Sequence, residues 1–389
     1  MSDPVLHWSA VAEPVVAAGR PPASAAVLAG IVHAAIHDAA VAGFGRYPHL
    51  FAAPRSRHRA DLDAAVATAA YRVLAERVPA QADHLAGEYA AHLALLGGGP
   101  AVQRGIELGG VVAEAVIAAR RDDGLDANVP WVQPAPGPGV FEPVATRPDG
   151  SPATPVDVQL GQVRPLVLRT PHQVRPTGAA ELTSRRYAVD LDEVATYGRL
   201  DSPVRSARQT ETARFWAENA FTHWSRNLRR LATDQALTPL AAARMLAVAH
   251  VASADAVIAC FEAKYHYLFW RPLHAITRAD TDANPATQPD LSWRSLLTVN
   301  HPEYPSAHAT WSHAVAHGLG SYFGPRPVQL VMDSTATGTT RSYPRISAVA
   351  REVGEARILA GLHFRFSVRD GAVLGRSVAD LVARRLGWC

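Results

Sequence analysis

Cysteine is nearly missing. Cys260 and Cys389 are the only two in 389 residues, which excludes a disulfide framework and calls for no oxidising compartment. Cys260 reads as a small buried hydrophobe and Cys389 as a frayed chain end. Charge is sparse too: charged residues make up 19% of the chain, the net charge is +3, and no dense run of Lys and Arg occurs. Nucleic acid is therefore excluded as the main partner. The opening Met1-Ser2-Asp3-Pro4-Val5 has neither a basic nor an apolar leader region, so the expected location is cytoplasmic, without a signal peptide. No membrane span is expected either. The most apolar stretch, Leu240 to Phe261, carries Arg244, His250 and Asp255, which fits a buried core helix better than a bilayer helix.

What the chain does have is apolar residues at helical spacing, within a hydrophobic share of 48% that suits a well-buried core. Helices are expected at about 24–43, 59–78, 81–96, 99–120, 182–197, 205–220, 221–233, 238–267, 307–322, 346–362 and 368–386. Ser24 and Thr238 are the expected N-caps of two of them, and prolines sit beside both. Strand signals are few, and the fold reads as all-α, with long helices packed as a bundle.

With no internal repeat and no true linker, a single domain spanning 1–389 is expected. It would comprise N-terminal helices at about 21–120, a Pro-rich excursion at 122–173, and a second bundle at about 178–389. Trp131 and Phe141 suggest that the excursion packs on something, such as a pocket. His33 and His37 lie four apart on one helical face. A metal pair would need further ligands, so a structural role is the better reading.

Three clusters carry chemistry. Pro305-Ser306-Ala307-His308 opens an amphipathic helix. The first N–H groups of a helix lack intrahelical partners and sit at the positive end of its dipole. An oxyanion there would meet backbone donors, a hydroxyl and an imidazole. Lys264 and Arg271 lie seven apart in an aromatic setting. They would share one face if the helix runs on to Pro272, and buried cations need an anionic partner. The third cluster, Arg357 to His363, has Gly361 loosening a helix end so that His363 leaves its axis.

Lys-x6-Arg-Pro, then Pro-Ser-Ala-His after 32 residues, then Arg-x5-His after another 48 form one ordered set. This set resembles the signature of the vanadium-dependent haloperoxidases and the type 2 phosphatidic acid phosphatase superfamily. Val32 to Ala39, Trp216 to Trp224 and Trp270 to Ile276 also look like bacterial haloperoxidases.

The resemblance implies a vanadate ringed by Lys264, Arg271 and Arg357, with Ser306 and the Ala307 N–H completing the cradle. His363 would bond the central atom, His308 would be the acid–base residue, and His301 would belong to the halide pocket. The implied partners are hydrogen peroxide, a halide and a small organic substrate, and a homodimer is compatible with the family pattern. Phosphate would fit the same site, and the superfamily's other chemistry is a phosphatase acting through a phosphohistidine at His363. Three positions depart from the pattern: Ala307 replaces glycine, Ala356 replaces serine, and Ser367 replaces the aspartate four residues after the histidine. Asp370 is the expected substitute for that aspartate in orienting His363.

Overall fold

The computed structural model describes residues 3–42, 47–51 and 59–388; Gly43, the expected end of the first helix, and Cys389 lie outside them. The described chain is all-α apart from one hairpin. In order, the helices are α1 (Pro4–Ala17), α2 (Pro22–Val41), α3 (Leu62–Arg77), α4 (Ala82–Leu96), α5 (Pro100–Ala119), α6 (Arg185–Tyr197), α7 (Ala207–Phe215) and α8 (Ala220–Asp234). Then come α9 (Pro239–Tyr267), α10 (Pro272–Thr277), α11 (Ala307–Phe323), α12 (Ile346–Leu359) and α13 (Arg365–Arg385). The hairpin, β1 (Leu330–Ser334) and β2 (Thr339–Tyr343), is antiparallel and pairs Leu330 with Tyr343. β1 alternates buried Leu330, Met332 and Ser334 with half-buried Val331 and Asp333, but β2 is mostly exposed Thr and Ser, so the strand signal in the sequence is short and one-sided.

The central element is α9. It starts where expected: Pro239 occupies the first turn, and the Thr238 hydroxyl accepts from the Ala241 N–H at 3.3 Å. Its small residues let α2, α11 and α13 pack against it from different sides. Both α2 and α9 are long and apolar enough to cross a bilayer, and both are instead enclosed by the protein. The acid within α9 has a specific use. Asp255 is fully buried and accepts from the N–H groups of Leu166, Val167 and Leu168 at 2.6, 2.8 and 2.8 Å. Hydrogen bonds to a charged group contribute roughly 1.5–3 kcal/mol each, so Asp255 ties the Pro-rich excursion to the core.

Other ties order the same excursion. Ser24 does not cap α2; its hydroxyl donates to Asp157, and Pro21 holds the N-cap position without a side-chain bond. The Asn300 side chain accepts from the Val144 N–H at 3.0 Å and donates to the carbonyls of Ala153 and Thr154 at 3.2 and 3.1 Å. Trp131 packs edge-on against Phe141 and Tyr265. The excursion therefore covers the segment that leads into α11.

The contact of α11 with α13 depends on missing side chains. A Cβ on Gly375 would lie 2.1 Å from the Thr310 carbonyl oxygen, and one on Gly371 2.8 Å from the Ser306 oxygen. Replacing Gly375 with Ala should therefore destabilise the protein by about 1–3 kcal/mol through overpacking, as read by urea denaturation. The exposed Gly87 in α4 has no atom within 4 Å of such a Cβ. Gly87→Ala should instead stabilise by roughly 0.5–1 kcal/mol.

Candidate active site

Lys264 sits in the last turn of α9, fully buried. The helix stops sooner than the sequence suggests. Leu268 adopts a left-handed conformation (φ 49°) and its N–H closes on the Lys264 carbonyl at 2.9 Å. Pro272 thus starts α10 rather than ending α9, and Arg271 is the extended residue before it. The two cations consequently do not share a helical face. They meet because the chain turns between them.

Both cations bind one segment of backbone. The Lys264 ammonium donates to the carbonyls of Pro302 and Glu303 at 2.8 and 2.9 Å. Arg271 donates from Nε to the His301 carbonyl at 2.7 Å and from Nη1 to the Leu362 carbonyl at 2.9 Å. Its Nη2 lies 2.8 Å from His301 Nδ1. The His301 ring also packs 5.2 Å from Phe261.

Ser306 stands at the N-cap of α11, yet its hydroxyl caps nothing. It is fully buried and has no hydrogen-bond partner. Ala307 and partly buried His308 follow in the first turn. Arg357, in the last turn of α12, is buried; one Nη donates to the Trp216 carbonyl at 3.3 Å, while Nε has no partner. Gly361 then turns the chain at φ 74°, where a Cβ would strike the Gly198 carbonyl oxygen at 2.5 Å. His363 leaves the helix axis there, as its sequence context suggests.

Asp370 does not orient His363. It accepts from the Tyr304 hydroxyl at 2.8 Å and lies 3.6 Å from Arg186. The carboxylate on His363 belongs to Glu303, whose Oε1 is 2.8 Å from Nδ1 and also accepts the Phe364 N–H at 3.0 Å. Ser367 reaches Nδ1 only at 3.5 Å. With Nδ1–H donating to Glu303, the lone pair is on Nε2, 3.4 Å from Arg271 Nη1. Glu303 was missed because it precedes the histidine by 60 positions. Its one signal was an acid inside an otherwise apolar and aromatic motif. His223 is buried against Trp216 at 4.8 Å, and burial lowers its own imidazole below the usual range.

The electrostatics follow from burial. Burial pulls Lys264 down to about 7, reinforced by Arg271 and Arg357. It lowers Arg271 to about 10 and Arg357 to about 9. It raises Glu303 to about 7 against the pull of Arg271 and Lys264. Burial and the same cations hold His301, His308 and His363 well below the usual imidazole range. Three cations thus surround one carboxylate, with an unpaired hydroxyl and an unpaired guanidinium N–H beside them. This donor set fits an oxyanion such as vanadate or phosphate. Among the described residues no group of three His, Cys, Asp or Glu is placed to hold a metal cation. His33 stacks on His250 at 4.0 Å and His37 bonds Asp38 at 3.0 Å, as structural residues do.

Every residue of this cluster from Lys264 to His363 falls within residues 244–387, which match the family model of the VCPO second helical-bundle domain. No curated protein matches the chain in sequence. Among solved structures, the chain is similar to a bacterial vanadium-dependent iodoperoxidase at 19% identity, covering 98% of this chain and 95% of that one, with a TM-score of 0.81. It is also similar to a holo-type bacterial vanadium-dependent chloroperoxidase at 18% identity, covering 95% and 93%, with a TM-score of 0.75. The chain has the fold of the vanadium-dependent haloperoxidases, and its residues 244–387 resemble the second helical-bundle domain of the VCPO model.

Proposed function

We propose that this chain, acting as one domain over residues 1–389, is a vanadate-dependent haloperoxidase that uses hydrogen peroxide to oxidise a halide and halogenate a small organic substrate. The observation that carries the reading is the excess of buried positive charge around His363 Nε2, whose ring is held by Glu303 through Nδ1. Vanadate, when bound, supplies an electrophilic centre that activates peroxide towards halide.

The chain's own residues do the rest. Lys264, Arg271 and Arg357 hold the oxyanion's oxygens and offset its charge in a site shielded from water. The Ser306 hydroxyl and the Ala307 N–H supply the remaining donors. His363 offers the Nε2 lone pair as the one protein ligand. Glu303 positions that ring and keeps the proton on Nδ1. His308 is held neutral by burial and by Arg357 and Lys264, so a ring nitrogen is free to take the peroxide proton. His301, between Arg271 and Phe261, lines the halide pocket.

The direct test supplies vanadate, peroxide and bromide and follows monochlorodimedone bromination, with a phosphomonoester assay alongside. Bromination that requires vanadate and disappears in His363→Ala supports the proposal. Vanadate-independent phosphate release without bromination replaces it with the phosphatase reading.

Glu303 and Asp370 are separable by the same route. Glu303→Gln should weaken vanadate binding by about 10–100-fold, the usual cost of losing the partner behind a ligating histidine. Asp370→Asn should leave it unchanged; isothermal titration reads both.

Lys264 is the chain's only lysine, so selective carbon-13 lysine labelling gives one side-chain NMR signal. Without an oxyanion it should titrate near pH 7. Below that pH it is an ammonium that attracts the anion, and above it the attraction fades. A bound anion must therefore raise its pKa.

A further inference from the structure

A second concentration of cations lies at the other end of α11. The cleft there has a volume of about 750 Å³, within the roughly 300–1,000 Å³ typical of small-ligand sites. It is framed by α11 from His313 to Phe323, the loop through Arg326, the first turns of α12 and Arg376 on α13. Its lining contains four arginines (Arg326, Arg345, Arg351 and Arg376) and two histidines, but no Asp or Glu. It contains none of the oxyanion-pocket residues. At 1.5 Å per residue, Ser321 in this cleft is about 20 Å along α11 from His308.

These arginines are not engaged by carboxylates. Among the described residues none of the four forms an ion pair; Arg351 reaches only the Ser347 hydroxyl, at 3.5 Å, and Arg326 lies over the Phe323 ring at 4.8 Å. His317 of the lining pairs with Asp380, which is not itself a lining residue, at 2.7 Å. Arg351 and Arg376 are close enough to His313 to depress its imidazole, after burial itself. Like charges held together this way repel one another at a cost that an anion removes. The N-terminus of α12 adds to the field: Arg345 is its N-cap residue, no side chain caps it, and Ile346 and Ser347 line the cleft.

We propose that this cleft is a second anion site, distinct from the oxyanion pocket, that takes a soluble polyphosphate. One tetrahedral anion would satisfy only part of a lining this wide. A chain of phosphate groups meets several guanidinium forks at once. The recess between α11 and α12 suits a small flexible ligand rather than a flat surface.

The test is isothermal titration of the full chain with inorganic triphosphate. The expected result is saturable binding that weakens with added NaCl and falls roughly tenfold or more in Arg351→Ala/Arg376→Ala. Both side chains are exposed, so the double variant should keep the wild-type melting temperature. Its orthovanadate isotherm should be unchanged. Saturating the wild type with orthovanadate should in turn leave the triphosphate isotherm in place. No binding at millimolar triphosphate, equal affinity in the double variant, or abolition by orthovanadate would each overturn the proposal.

Discussion

The structure around the site depends on two buried cations held by backbone carbonyls. Lys264 and Arg271 donate to the oxygens of residues 301, 302, 303 and 362. Those bonds join the end of α9, the start of α10, the approach to α11 and the turn between α12 and α13. Carbonyl oxygens orient the cations but carry no charge to neutralise them. Glu303 is the single buried acid among them, and it is shared with His363. Removing one member of such a cluster leaves uncompensated charge in a dry interior, at a cost of about 3–5 kcal/mol. The same deficit is the attraction that an oxyanion would satisfy.

The helical architecture was legible because its local signals agree with its burial. Apolar spacing, Thr238-Pro239 at the start of α9 and the glycine break at residues 97–99 all locate real boundaries. The failures have physical causes. Ser24 has the right type and place for a cap, but a buried carboxylate from residue 157 competes successfully for its hydroxyl. The β1–β2 hairpin has a two-residue period only in five-residue β1, and its neighbours add to it: Arg226 and Asn227 of α8 bond Asp333, and Ser334 bonds the Phe215 carbonyl.

The site was legible as a set of residue types and not as a wiring diagram. Lys264, Arg271 and Arg357 lie near enough to His308 and His363 to depress both imidazoles, and Lys264 and Arg271 meet through a left-handed turn at Leu268 that no apolar period reveals. The carboxylate behind His363 was sought downstream, at positions 367 and 370, which fall in the first turns of α13. It comes from a loop 60 residues earlier, because only the folded chain brings the 303 loop under the 361 turn. Residue 367 is therefore not where the partner of His363 is found: Glu303 lies 2.8 Å from Nδ1 and Ser367 only 3.5 Å.

The ties on the Pro-rich excursion have a consequence of an evolutionary kind. Asn300 grips it at residues 144, 153 and 154, one position before His301, while the tip at 147–151 closes on itself through Thr146 and Pro152. Residues 147–150 of the tip are exposed. Insertions and substitutions there can accumulate without disturbing the bonds that fix the pocket. Descendants of this chain can therefore vary at this tip while the bonds of Asn300 to residues 144, 153 and 154 stay in place.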